Sequence, residues 1–186
     1  MKNKKGFTLV ELLATIIIMG ILAVFSFTTI TGLLDNSRNR MYISDAKKLV
    51  SYAEYQMNAS SSIIEKPDPD SCIVVSLTYF NSNEFSIGPN GGEYLPDHSF
   101  VVIKNNNGKM EYAVELVEHL KNGGYKGVEL TKNNILYSSN SSSHIVAFQE
   151  EELIDLENEM NKAYLNEKLG DDYLVDGDVI EVYLYQ

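Results

Sequence analysis

Residues 7–27 are apolar apart from Glu11 and a few hydroxyl-bearing side chains. At 1.5 Å per residue, these roughly 21 residues make about 31 Å of helix, enough to cross the hydrocarbon core of a membrane. Lys2, Lys4 and Lys5 precede the run and hold that end on the cytoplasmic side, which places everything after Phe27 outside. Beyond the run the pattern becomes one-sided. Ile43, Ala46, Val50, Ala53 and Met57 recur at spacings of three and four, while Asp45, Lys47, Lys48 and Glu54 fall on other faces. The spacing predicts a helix over 7–59 whose outer half packs on a sheet. Asp35-Asn36-Ser37 leaves open a break into an anchor and a separate helix. Ser60-Ser61-Ser62 and Pro67-Asp68-Pro69-Asp70 end the helical region, because proline cannot continue it.

The pattern then takes on the marks of strands. Residues 72–77 form a nearly continuous apolar run, as a buried strand requires. Residues 100–103 and 111–116 flank Asn105-Asn106-Asn107-Gly108, whose Asn-Gly suits a tight hairpin turn. The second arm alternates Tyr112, Val114 and Leu116 against Glu111 and Glu115, a half-buried pattern. Residues 127–130 make a weaker strand, and Asn133-Asn134 and residues 138–143 read as loops. Over 150–169, Leu153, Leu156, Met160 and Ala163 return to helical spacing, with acids in the first turn where the helix dipole favours them. Residues 179–185 read as a last strand. The class is α+β: a long N-terminal helix, membrane-spanning in its first half, packs by its second half on an antiparallel β-sheet, with an additional C-terminal helix.

A charge at mid-membrane depth costs about 2.5–3.5 kcal/mol on insertion scales, so Glu11 calls for a partner. Gly6-Phe7-Thr8-Leu9-Val10-Glu11 resembles the processing site of the type IV pilin family, which includes pseudopilins and competence pilins. The resemblance covers the first third of the chain. It implies that a prepilin peptidase cuts between Gly6 and Phe7, that the new Phe7 amine is N-methylated, and that Glu11 serves assembly. Residues 1–6 would then be the leader, 7–27 the transmembrane and filament-core half of the helix, 28–60 its amphipathic outer half, and 61–186 a pilin head. The implied partners are other pilins, in a homo- or hetero-oligomer, together with the peptidase and a membrane assembly platform. The implied location is a single-pass cell membrane protein with its head outside, and the surface pilus after assembly. Many pilins carry a proline midway along the span; here Thr28-Thr29 stand in its place.

The residues agree with that resemblance on physical grounds. Cleavage before Phe7 removes three lysines and leaves a positive α-amino group at the inserted end. A staggered neighbour could bring its amine against Glu11 and neutralise both charges in an apolar setting. The plainer alternative is a glutamate tolerated near the interface of an ordinary anchor. A secretory signal peptide fits poorly: the apolar run is too long, contains Glu11, and lacks an A-x-A-like cleavage site.

Composition narrows the remainder. The chain has 186 residues, a formal net charge of −11 and a mean hydropathy of −0.16, so a soluble acidic domain follows the anchor. Such a charge argues against direct nucleic-acid binding. Cys72 is the single cysteine, so the intramolecular disulfide with which many pilins close their C-terminal region cannot form. In its apolar setting it reads as an inert buried thiol. His98, His119 and His144 lack zinc-site spacing, and no phosphate loop or nucleophile motif is present, so no catalytic residue is expected. Asp171, Asp172, Asp176 and Asp178, beside Gly177, could offer hard oxygen ligands to calcium, and some pseudopilins have a calcium-stabilised C-terminal loop. The spacing is not that of an EF-hand, and a solvated turn is the alternative. Three functions compete: a structural filament subunit; a low-abundance minor pilin, adhesin, or secretion or competence pseudopilin; and a membrane-anchored enzyme.

Overall fold

The computed structural model describes residues 7–59, 64–69, 71–80, 85–175 and 177–184. The chain forms two compact units, Met1–Arg38 and Asn39–Gln186. Helix α1, Leu9–Asn58, contributes to both and runs through Asp35-Asn36-Ser37 without a break. It also runs through Thr28-Thr29. Hydroxyls in this stretch turn back onto helix carbonyls: Thr28 and Thr29 both donate to the Phe25 oxygen at 3.0 Å, and Ser26 donates to that of Leu22 at 2.8 Å. Each polar side chain is thereby satisfied within its own helix, as an apolar surrounding demands. In the first unit the large apolar side chains from Phe7 to Leu34 are exposed, and α1 is long and apolar enough to cross a membrane. Ser60-Ser61-Ser62 and Asp70, expected in the connector, lie outside the described residues.

In the second unit α1 buries Tyr42, Ile43, Ala46, Leu49, Val50, Ala53 and Met57. All five residues of the expected stripe are there, widened by Tyr42 and Leu49. They pack on Ile73, Val75, Val101, Ile103, Val114 and Leu116 from one face of a sheet. Among the described residues its strands are β1 (Ser71–Ser76), β2 (Glu93–Tyr94), β3 (Phe100–Asn106), β4 (Lys109–His119), β5 (Tyr125–Lys132), β6 (Ile145–Phe148) and β7 (Val179–Tyr183). The order is β6-β5-β4-β3-β1-β7, with β2 paired to β4. Asn107 and Gly108, at φ 50° and 90°, close the β3–β4 hairpin, the left-handed pair that its tight turn requires. The sheet is antiparallel except that β7 joins β1 in parallel.

The opposite face carries a second layer. Cys72, Val74, Phe100, Val102 and Ala113 pack against Ile154, Leu156, Leu174 and, from helix α3 (Lys162–Leu169), Leu165 and Leu169. This layer overturns the half-buried pattern expected for β4: Glu115 is buried. The helix expected over 150–169 shrinks to α3. Residues Glu150–Glu152 form a 3₁₀ turn, the Asp155 carboxylate accepts the N–H groups of Glu157 and Asn158, and the Asn161 side chain caps α3 by accepting from Tyr164 N–H at 3.0 Å. Short acid and amide side chains here capture backbone donors that a continuous helix would use. Conversely, a short helix α2 (Asn133–Leu136) and strand β6 occupy ground expected to be loop or left unassigned.

Candidate functional site

At the start of α1, Thr8 and Glu11 cap the helix reciprocally. Glu11 N–H donates to Thr8 Oγ1 at 3.3 Å, while Thr8 N–H and Thr8 Oγ1 donate to Glu11 Oε2 at 2.9 and 2.8 Å. This is a Thr-x-x-Glu capping box, which supplies an acceptor to a helix end otherwise left with unpaired donors. Both bonds fall on Oε2; Oε1 has no hydrogen-bond partner among the described residues. Phe7 is exposed just before the box. Gly6 lies outside the described residues.

The acids near the C-terminus are placed differently from one another. Asp171 and Asp172 are exposed, and Asp176 lies outside the described residues. Asp178 turns inward to Lys104 at 3.5 Å, with side chains 2% and 12% exposed. Lys104 also donates to the Tyr173 main-chain oxygen. Asp178 thus has a lysine ammonium as its partner. Among the described residues no group of three or more histidine, cysteine or acidic side chains is placed to hold a metal.

The remaining candidates have structural partners. Burial pushes the Cys72 thiol up to about 12, out of reach of thiolate chemistry. His98 Nδ1 meets the Ile154 carbonyl at 2.8 Å, His119 stacks on Tyr125, and His144 Nδ1 lies 2.9 Å from Glu129.

Two buried glutamates escaped the sequence reading. Glu118 accepts from Tyr42 of α1, from Gly92 N–H at 2.7 Å and from Asn90 N–H at 3.1 Å. It ties the outer half of α1 and the glycine-rich loop around Gly92 to β4. Glu115 sits where the β4–β5 register shifts between Val114 and Leu116, and its Oε2 accepts Leu130 N–H at 3.0 Å. Burial pushes its carboxyl up to about 8. The cue missed for Glu115 was the amphipathic 150–169 segment, which had to cover the second face of the sheet.

A lone glutamate capped at the head of an exposed apolar helix, with an α+β head built on that helix's outer half, defines a pilin-like layout. Residues 1–27 match the family model described as the prokaryotic N-terminal methylation motif, a type IV prepilin signature. The chain thus carries a type IV prepilin signature at its N-terminus, ahead of a pilin-like layout. No curated protein and no solved structure matches it.

Proposed function

We propose that this chain is a structural subunit of a type IV pilus or a related filament, cut between Gly6 and Phe7, N-methylated at Phe7 and assembled through α1. The observation that carries the reading is the capping box within the methylation motif. Thr8 engages one oxygen of Glu11 and orients the carboxylate at the helix start. The other oxygen remains for a cation that processing of a neighbour creates. Pairing a carboxylate with an ammonium in an apolar core removes most of the cost of burying either alone. Residues 7–27 form the filament core in this reading, residues 28–60 carry the head, and residues 61–186 complete it. Repeated head-to-tail contacts between the apolar faces of neighbouring helices then propagate as a fibre. Its partners are other pilins, a prepilin peptidase and a membrane platform, and the chain itself performs no catalysis.

Mass spectrometry of the protein recovered from membranes tests processing: the expected N-terminus is Phe7 bearing one added methyl group. A mature chain beginning at Met1, or elsewhere than Phe7, ends the reading. Glu11→Val should leave cleavage and insertion intact and abolish filaments in sheared surface fractions. The abundance of the wild type in those fractions separates a major from a minor subunit.

A further inference from the structure

β4 is longer than the strand beside it. Pairing with β5 begins at Ala113↔Lys132, so residues 109–112 of β4 have β3 on one side and no described strand on the other. A cavity of about 420 Å³ opens at this vacant edge, bounded by the start of β4, the passage from β5 into α2, and Tyr173.

Its chemistry differs from that of the rest of the acidic chain. Lys109 and Lys132 line it, and neither forms an ion pair with a described residue. Lys132 Nζ is held 5.3 Å from the centre of the Tyr173 ring, which keeps the ammonium at the wall. Glu111 supplies one opposing charge, so the cavity carries a single positive excess. Two polar atoms on its lining residues are buried without a partner, Tyr173 Oη and Asn133 Oδ1, and Tyr173 is only 6% exposed. Buried polar atoms of this kind are costly unless something completes them. Tyr112 adds a half-buried aromatic side chain.

These features select a ligand class. A wholly apolar molecule would leave the tyrosine hydroxyl and asparagine oxygen unpaired. A polyanion would meet Glu111 and the field of a chain at −11. A small hydroxylated ring bearing one anionic group satisfies every element. We propose that this cavity binds an anionic saccharide, with the ring against Tyr112, its carboxylate or phosphate between Lys109 and Lys132, and its hydroxyls completing Asn133, Tyr173 and the open edge of β4. The site stands whether or not the chain assembles into filaments.

The test is calorimetric titration of the full-length protein in detergent micelles with four probes: galacturonic acid, glucose 6-phosphate, maltotriose and inorganic phosphate. Binding of galacturonic acid in preference to glucose 6-phosphate identifies a carboxylate ligand, and the reverse order a phosphate one. Lys109→Gln and Lys132→Gln should each weaken the preferred probe about tenfold, as loss of a charge-assisted contact does. Glu111→Gln should tighten it severalfold, a gain that misfolding cannot imitate. Maltotriose binding as well as the charged sugars, inorganic phosphate competing equally, no binding by any probe, or indifference to all three substitutions would each overturn the assignment.

Discussion

Lys104 Nζ lies 3.5 Å from Asp178 Oδ2, and the pair joins β3 to the turn that leads into β7. Among the described residues β7 is an outermost strand, paired only with β1, and no disulfide fastens it because Cys72 is free. Asp178 Oδ2 also accepts Val175 N–H at 2.9 Å, and Lys104 holds the Tyr173 carbonyl, so one buried ion pair secures the segment from both ends. Removing one member of such a pair costs about 3–5 kcal/mol, whereas replacing both by apolar residues is close to neutral. Lys104→Met and Asp178→Leu should therefore each lower the Tm by roughly 10 °C, and the double variant should recover most of the loss. Scanning calorimetry of the full-length protein in detergent reads this directly. A chelator should leave the wild-type Tm unchanged, since the ammonium already supplies the cation.

Glu115 makes the head sensitive to pH. It is 2% exposed, and desolvation raises its carboxyl to about 8 against an ordinary value of 4.5, outweighing the Leu130 N–H, the Lys168 charge and the Tyr164 hydroxyl, which pull it down. Between those values the native chain keeps a proton that the unfolded chain has lost. The stability contributed by neutral Glu115 is complete below about pH 4.5 and is lost as pH rises through about 8, a change on the order of 4 kcal/mol. Glu115→Gln should flatten the dependence of urea-unfolding free energy over that window and raise stability at its upper end. A Gln variant with the wild-type slope would refute the assignment.

Glu118 predicts a strict requirement for glycine nearby. A Cβ at Gly92 would fall 2.0 Å from the His119 carbonyl oxygen, and one at Gly88 would fall 2.3 Å from Glu118 Cδ. The loop must pass this closely for Gly92 N–H to reach Glu118. Gly92→Ala should cost about 3 kcal/mol in urea unfolding, because the obstructing atom is backbone and cannot swing aside. Gly32→Ala, where nothing lies within 4 Å, serves as the control and should leave the head unaffected.

Features set by local periodicity could be read before the fold was known. The Ile43–Met57 stripe is buried as its spacing implies, and Asn107-Gly108 forms the turn its residues favour. Glu115 could not be read in this way. Alternation along β4 says which residues share a face but not whether that face is covered, and the cover comes from α3 and its approach, about fifty residues later. The shortening of the 150–169 helix was similarly hidden, because Asp155 and Asn161 suit a helix surface in composition while their side chains divert backbone donors. The acids at 171–178 suggest calcium through proximity in sequence, whereas the pairing of Asp178 with Lys104, from a distant strand, could be read only from the fold.

The division of labour between Thr8 and Glu11 yields the last expectation. In the proposed filament Glu11 would have two tasks: Oε2 receives the Thr8 donors, and Oε1 would take an incoming amine. Thr8→Ala removes the hydroxyl from the box but leaves the Thr8-position N–H to donate, at a cost of about 1 kcal/mol for the lost cap. The carboxylate is then less firmly oriented but still charged, so filaments should become fewer rather than vanish. Glu11→Gln keeps shape and hydrogen-bonding capacity while deleting the charge, so its helix start should survive and its filaments should not. Comparing sheared filament yield with circular dichroism of the purified chain distinguishes the two. If Glu11→Gln assembled as well as wild type, charge neutralisation would not be what selects the neighbour, and the role proposed for Oε1 would be wrong.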